Sequence, residues 1–409
     1  MRKSILVLAM IALVALFAIS CDNKAAEPKQ YDVKLVYNDS SKEISVMENS
    51  TIDDNWSEIK KAISTDKDID SFVFEVDDVE VLTSKKIESS ITLKIIDLIK
   101  ISTTEEFENY IKTGGRAILN SDITYGVKNE LKDGKTVSKD FLKNMKLDLN
   151  KKKLTLNSSI SLYGKNTMEL FNGTVLSDTG YDLKYAGIQV FAKSKLILTD
   201  VIFNSETTGL FAVNNENDTV IKLERTTLTS KGYYGIGTNA TPKESQNVKF
   251  IIKDSEVSTK GAANGDNSAI LFNVKGGVDI ENSTISGDRH AVILRGGVEH
   301  SIANSNLEVT GHNAVNDEYV TKDWKSGNEV PLAALVIGNR SSSYKYPTVV
   351  KLEDVVISAP EKNKSNKDYY GIYIYQNDAT NTVNVSGTVK DYEKIKINDK
   401  KNGATVSVK

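Results

Sequence analysis

Cysteine, histidine and proline are scarce in this sequence, with one, three and five residues among 409. A single thiol excludes a disulfide within the chain. Neither sign of charge dominates, because 52 basic residues are balanced by 55 acidic ones and the formal net charge is -3. With no basic stripe, this composition argues against nucleic acid as a partner. After residue 21, no apolar run is long enough to span a membrane.

The single cysteine lies at the end of an apolar segment. Arg2 and Lys3 precede an apolar run over residues 5–19, a pattern typical of a secretion signal. Residues 18–21, Ala-Ile-Ser-Cys, resemble the cleavage site of bacterial lipoprotein precursors, with alanine where leucine is usual. That resemblance implies that residues 1–21 are a lipoprotein signal peptide and that Cys21 carries the lipid. The alternative is an ordinary signal peptide whose cysteine has no such role.

Two different segments follow the cysteine. Residues 22–30 are polar and predict a tether between the anchor and the folded protein. Residues 31–100 contain short alternating stretches and one helical stretch, which predict a small α+β domain. A lipid on Cys21 would make a membrane the first partner and place the protein in the bacterial cell envelope. The sequence leaves open whether it lies on the periplasmic face or the cell surface.

A ten-residue pattern recurs through the C-terminal two-thirds of the chain, with apolar residues at positions 1, 3 and 8 and Asn or Asp at position 5. Strict alternation of this kind predicts short strands with one buried face. Most copies are 22 to 29 residues apart, and a last step of 50 is close to two ordinary steps. The third residues of the copies are Leu170, Leu198, Leu223, Ile252, Ile280, Ile302 and Leu352.

A second pattern, Gly or Ala followed by alternating apolar residues, comes after the copies and begins at Gly187, Gly209, Gly235, Ala269, Ala291 and Gly371. A unit this small cannot bury its own apolar stripe, so successive units must stack and pair in parallel. Both patterns resemble the coils of right-handed parallel β-helices of the pectate-lyase-like superfamily. The resemblance implies a mainly β solenoid over residues 102–409. A capping box at Ser102 to Glu105 predicts a short helix that covers its first coil.

Position 5 of the pattern is polar in every copy: Asn172, Asp200, Arg225, Asp254, Asn282, Asn304 and Asp354. In the β-helices that the chain resembles, asparagines stack in a ladder at a turn. This implies inward amides that bond to backbone groups of the bend. The alternative is an acidic column that binds calcium, but coordination requires clustered carboxylates rather than alternating amides. We therefore predict no metal site and no cofactor, and we expect Arg225 to point outward.

Alternation also places one column of residues on the outer face of the second strand: Gln189, Phe211, Gly237, Leu271, Ile293 and Tyr373. Four of the six are large and apolar, which is unusual for a face that meets solvent. We predict that the domain at residues 31–100 covers this face. The competing explanation is a partner that binds there.

Acid and base types concentrate at one place, residues 288–295. Asp288, Arg289, His290 and Arg295 are weak catalytic candidates, with His312 nearby in the alignment of repeats. A β-helix lyase requires a cation or metal to neutralise a uronate and a base near its α-carbon proton. A solvated turn rich in Gly, Asp and Arg is the simpler explanation, so no catalytic residue is assigned. His300 occupies an inward position and is predicted to be a hydrogen-bonded core histidine.

Aromatic residues collect in the irregular segments near the C-terminal end: Tyr319, Trp324, Tyr344, Tyr346, Tyr373 and Tyr375. Loops of successive repeats project on the same side, so these rings are candidates for a platform that binds sugar rings or a protein. The alternative is that tyrosine is simply favoured on half-exposed strands.

Three functions are compatible with these features. We favour a lipid-anchored protein that presents its β-helix as a binding or adhesive surface for a glycan or a protein. The alternative is a polysaccharide lyase or glycoside hydrolase that uses residues 288–346. The third is a spacer or assembly element of the envelope.

Overall fold

The computed structural model describes residues 29–132, 135–136, 138–180, 186–213, 217–239, 247–260, 268–310, 332–339, 347–358, 370–376, 383–391, 395, 397–398 and 404–409. The predicted signal peptide, Cys21 and nearly all of the tether lie outside this range. The chain divides into two compact units, Met1–Leu98 and Ile99–Lys409. It is mainly β, and most of its strands lie in parallel sheets.

In its described residues, the first unit combines a mixed sheet with one α-helix. Its strands are β1 (Gln30–Tyr37), β2 (Ser40–Met47), β3 (Phe72–Val76), β4 (Val79–Val81) and β5 (Ile91–Ile101). Their spatial order is β2–β1–β5–β3–β4, and only β1 and β5 pair in parallel. Helix α1 (Trp56–Ala62) is followed by a 3₁₀ turn at Ile69–Ser71. Ile59 of α1 shares one apolar core with Val33, Leu35, Phe74 and Leu93.

Helix α2 (Thr104–Thr113) begins the second unit with a capping box. The Thr103 hydroxyl accepts a hydrogen bond from the Glu106 N–H at 3.2 Å, and the Glu106 carboxylate accepts one from the Thr103 N–H at 3.1 Å. The prediction that Ser102 and Glu105 form this box is wrong by one residue. Ser102 with Glu105 and Thr103 with Glu106 have the same spacing in the sequence. Only the path of the backbone shows that Thr103 is the N-cap.

The apolar face of α2 is as predicted. Phe107, Tyr110 and Ile111 are buried in the same core as the strands that follow. The rings of Phe107 and Tyr125 meet edge to face, with centroids 5.3 Å apart. Gly114 ends the helix with a φ of 70°, a conformation that glycine adopts without strain. The helix therefore covers the apolar side chains of the first repeat.

Each repeat contributes one or two strands to a long parallel sheet. The first strands of the repeats are β6 (Gly115–Leu119), β11 (Met145–Asp148), β14 (Thr167–Ser177), β16 (Lys195–Ser205), β18 (Asn217–Glu224), β21 (Asn247–Lys253), β24 (Gly276–Glu281), β27 (Glu299–Ala303), β30 (Thr348–Ser358), β32 (Val383–Val389) and β34 (Ala404–Val408). The second strands are β7 (Ile123–Tyr125), β12 (Lys153–Leu156), β19 (Thr227–Ser230), β22 (Glu256–Thr259), β25 (Thr284–Gly287) and β28 (Asn306–Val309). Strands β14, β16 and β30 span both positions.

A second parallel sheet has ten strands, which pair in chain order. They are β10 (Ser138–Phe141), β13 (Ser159–Leu162), β15 (Ala186–Val190), β17 (Thr208–Val213), β20 (Tyr234–Asn239), β23 (Ser268–Phe272), β26 (His290–Leu294), β29 (Ala333–Asn339), β31 (Tyr370–Gln376) and β33 (Ile397–Asn398). A short antiparallel pair, β8 (Leu131–Lys132) and β9 (Lys135–Thr136), precedes β10. One apolar core extends from Ile101 to Val408 between the two sheets.

The register of the long sheet follows the repeat of the sequence residue for residue. Leu170 pairs with Leu198, and each third residue of the pattern pairs with the third residue of the next copy, up to Leu352. The step of 50 residues is a single repeat, because Ile302 pairs directly with Leu352. The extra residues lie before and after β29. Ala334 on β29 begins a further copy of the second pattern, which was not recognised in the sequence. The extra length is therefore an insertion, not an additional repeat.

The ladder at position 5 does not point inward, so that prediction is wrong. All seven residues have a left-handed backbone with φ between 46° and 60°, and six of them are exposed while Asn172 is half-buried. Asn and Asp tolerate this conformation better than other residues with a Cβ, which explains their recurrence at a tight bend. Arg225 does point outward, and its guanidinium pairs with Asp200 at 2.8 and 2.9 Å.

Buried hydroxyls one position later bond to the backbone at this bend. Thr226, Ser255, Ser283 and Ser305 each donate to the carbonyl two residues earlier, at 2.6 to 3.0 Å. The Thr226 N–H donates to Ser255, the Ser255 N–H to Ser283 and the Ser283 N–H to Ser305, at 3.0 to 3.1 Å. We call these four residues the hydroxyl ladder. It satisfies the backbone groups that the turn leaves without a strand partner.

We expect Ser255→Ala to lower the free energy of unfolding by about 1–3 kcal/mol, because it leaves the buried N–H of Thr226 without an acceptor. Urea denaturation measures this loss. Ser286→Ala is the matched control, since Ser286 is also nearly buried but lies outside the ladder. Equal losses in the two variants would contradict a role for the ladder.

Candidate functional site

The acid and base types near residue 290 are buried. The exposed fractions of Asp288, Arg289, His290 and Arg295 are 1%, 8%, 0% and 1%. The Asp288 carboxylate accepts a hydrogen bond from the Thr310 hydroxyl at 2.6 Å. Both arginines act electrostatically on His290, so the structure does bring these three residues together. A polymeric substrate nevertheless has no access to them in this structure. His312 lies outside the described residues.

His290 is neutral in this environment. Its Nδ1 lies 3.2 Å from the carbonyl oxygen of Ala333, which can only accept, so Nδ1 carries the proton. Burial lowers the pKa of His290 well below its usual value, and the charges of Arg289 and Arg295 add to this effect. A neutral imidazole has the form of a general base, but proton abstraction also requires contact with a substrate.

His300 is a hydrogen-bonded core histidine, as predicted. Its Nε2 donates to the carbonyl of Gly296 at 2.6 Å, and its Nδ1 accepts from the N–H of Val278 at 3.1 Å. A Cβ on Gly297 would lie 2.3 Å from Nε2, so glycine makes room for the ring. Burial lowers the pKa of His300 to about 4. The His300 ring therefore links β24 to the bend between β26 and β27 through these two hydrogen bonds.

The outer face of the ten-stranded sheet carries two columns of side chains. One is the predicted column, which also includes Val336 between Ile293 and Tyr373. The other lies three residues earlier on each strand and contains Ala186, Thr208, Tyr234, Ser268, His290, Ala333 and Tyr370. Leu271, Ile293, Ala333 and Val336 form an apolar cluster separate from the main core.

The middle of this face is covered within the single chain. Leu271, Ile293 and Val336 are buried although no partner is present, so they require none to shield them. That confirms the prediction of cover for these positions. Its assignment to the domain at residues 31–100 stays a prediction. Phe211 and Tyr373, toward the two ends of the column, are only half-buried.

The two outer faces of the second unit differ in charge. On the long sheet, one column reads Glu169, Ile197, Lys222, Ile251, Asp279, Ser301 and Lys351. Burial raises the pKa of Asp279 on this face. In the two columns of the ten-stranded sheet, from β15 to β31, no side chain is charged. In a chain with 26% charged residues, this contrast marks the ten-stranded sheet as the unusual surface.

The predicted aromatic platform is described only in part. Tyr319, Trp324, Tyr344 and Tyr346 lie outside the described residues, and Tyr375 is described for its backbone alone. Tyr373 meets Tyr370 edge to face, with ring centroids 5.0 Å apart. This pair lies at the C-terminal end of the uncharged face.

A second aromatic group was not predicted from the sequence. Phe211 on β17 stacks on Tyr234 of β20, with centroids 6.0 Å apart and planes 27° apart, and Tyr233 adjoins Tyr234 at 6.3 Å. We call these three residues the aromatic shelf. The signal that could have revealed it is the pair Tyr233-Tyr234 directly before the Gly235 of the second pattern.

No three His, Cys, Asp or Glu side chains of the described residues lie close enough to share a metal ion. Within the same residues, no helix combines the length and apolar character needed to cross a bilayer.

Comparison with known proteins adds no relative. No protein-family model matches the chain, and a search of curated proteins returns no match.

Proposed function

We propose that this chain is a lipid-anchored protein of the bacterial cell envelope that presents a right-handed parallel β-helix as a binding surface. The parallel pairing of each strand with its equivalent in the next repeat supports the β-helix. The basic start, apolar run and Cys21 of the sequence support the anchor. The ligand class is a glycan or a protein.

The observation that carries the binding function is the pair of half-buried aromatic groups at the two ends of the uncharged face, Phe211 with Tyr234 and Tyr370 with Tyr373. The middle of the face is covered within the chain and is not part of the proposed surface. Where a sheet meets solvent, charged side chains are expected, as in the column of the long sheet that carries Glu169, Lys222, Asp279 and Lys351. Aromatic side chains offer a large apolar surface and are enriched where proteins bind other molecules. Binding along such a face requires no catalytic group.

An enzyme is the weaker alternative for this chain. Its candidate groups, Asp288, Arg289, His290 and Arg295, are withdrawn from solvent, whereas a lyase or hydrolase must present them to a polymer. A spacer in the envelope is the third reading, and it requires no uncharged face.

The test uses the soluble chain from Asp22 onward, exposed to neutral and acidic polysaccharides with and without calcium. We expect retention on a glycan without new reducing ends or unsaturated products, and weaker retention of Tyr373→Ser. Ile197→Ser is the matched control, because Ile197 lies on the outer face of the long sheet. New chain ends would favour the enzyme and direct mutagenesis to residues 288–295. No retention of any polysaccharide or envelope protein would favour the spacer.

A further inference from the structure

The aromatic shelf lies next to a glycine, whose lack of a side chain leaves room for one of its rings. Gly237 follows Phe211 in the same column, one repeat later. A Cβ on Gly237 would lie 2.4 Å from Cε2 of Phe211, so the Phe211 ring occupies the space above this glycine. Phe211, Tyr233 and Tyr234 are all half-buried, which leaves part of their surface open to solvent. The result is a partly exposed patch of aromatic rings on the sheet.

The side-chain amide of Gln189 borders this patch on the side opposite Gly237. Gln189 of β15 pairs in register with Phe211 and is half-buried on the same outer face. Its side chain offers two N–H donors and one carbonyl acceptor. Thr208 and Ala186, the neighbouring outer positions, are uncharged. The shelf thus combines an aromatic surface with neutral hydrogen-bonding groups.

We infer that the aromatic shelf is a subsite for a neutral pyranose unit of a glycan. The C–H face of the sugar would lie on Phe211, and the hydroxyls at its edge would bond to the Gln189 amide. A pyranose matches both parts, because it has one apolar face and an equatorial ring of hydroxyls. This inference rests on the proposed binding function and names its ligand class.

The absence of charge decides between neutral and acidic sugars. A uronate that lost water at this patch would need a cation or several donors, and no described outer position near Phe211 supplies a charge. Lys231, on the preceding bend, is already paired with Glu206 at 2.7 Å. Oligogalacturonate should therefore bind less well than a neutral oligosaccharide of equal length.

Calorimetric titration of the soluble chain from Asp22 tests this subsite. The probes are cellohexaose, xylohexaose, mannohexaose and hexagalacturonate. We expect at least one neutral probe to bind, with affinity falling about tenfold in Phe211→Ala and a few-fold in Gln189→Ala. Phe211→Trp keeps a flat ring and should retain binding. Phe191→Ala is the matched control, because Phe191 also stacks on another ring, that of Tyr163, but the two residues follow the ends of β15 and β13 and lie off the shelf.

Several outcomes would overturn the inference, and they differ in what they imply. Binding of a neutral probe that survives Phe211→Ala but is lost in Tyr373→Ser would keep the binding function and move the site. Preference for hexagalacturonate would likewise refute a neutral subsite. If no probe binds but an envelope protein does, the assignment of the shelf to a sugar is refuted and the proposed binding function stands. The melting temperature of each variant is measured as well. Only variants that melt at the same temperature as the unchanged chain are compared, so that unfolding is not mistaken for a loss of affinity.

Discussion

Phe250→Ala is expected to lower the free energy of unfolding by about 3–5 kcal/mol, the usual loss when a large core side chain is removed. Phe250 is fully buried, and its ring meets Phe272 edge to face with centroids 5.2 Å apart. It pairs with Ile221 on one side and Val278 on the other. In a stacked repeat, each unit is stabilised by its neighbours alone, so a cavity here weakens both interfaces.

Ile251→Ala is the matched control for this loss. Ile251 is the next residue of the same strand, but it lies half-buried on the outer face of the long sheet. Urea denaturation should show a loss of less than about 1.5 kcal/mol in the control. Hydrogen exchange should report faster opening at β18, β21 and β24 in Phe250→Ala. Similar losses in both variants would mean that the predicted inner and outer faces are wrong.

The second large effect is a loss of stability in mild acid that depends on His300. The pKa of this buried histidine is lowered to about 4, against an ordinary value of 6.5, chiefly by burial. The unfolded chain therefore takes up a proton at a higher pH than the folded chain does. Stability from the neutral ring is fully present above pH 6.5 and is lost as the pH falls from about 6.5 toward 4.

The shift corresponds to about 3 kcal/mol in total, of which about 2 kcal/mol should be lost by pH 5. His290 acts in the same direction, because its pKa is also lowered. The measurement is urea denaturation at pH 7.5, 6 and 5. His300→Gln should start less stable at pH 7.5 but show a shallower decline. An unchanged decline in that variant would exclude His300 as the cause.

The candidate site was predictable only where alternation holds. Phe211, Leu271, Ile293 and Tyr373 could be assigned to the outer face because each lies between two inward residues of an alternating strand. The column that contains Tyr234 could not be assigned in this way. On β15, Gly187 and Ile188 both point inward, so the outward residues Ala186 and Gln189 are three positions apart. A Cβ on Gly187 would lie 2.3 Å from the buried Ser177 hydroxyl, which shows its direction. A local irregularity of this kind breaks the period of two.

The hydroxyl ladder and position 5 illustrate the same limit. Spacing identified a recurring bend, and the pattern Asn or Asp followed by a small residue was visible in most copies. Which of the two side chains points inward depends on the left-handed backbone at the first of them, a conformation that composition does not reveal. The inward bonds to the backbone were therefore assigned to the wrong residue.

The sequence by itself determined the parallel stacking and the register of the repeats from β14 to β27. An alternating pattern repeated along the chain allows one alignment that keeps the apolar residues of positions 1, 3 and 8 inside. Only the tertiary structure decided that Asp288, Arg289, His290 and Arg295 are buried, that Leu271 and Ile293 are covered, and that Phe211 meets Tyr234 over Gly237. These features arise from contacts between residues far apart in the chain, or from its bends, and neither follows from the period of a strand.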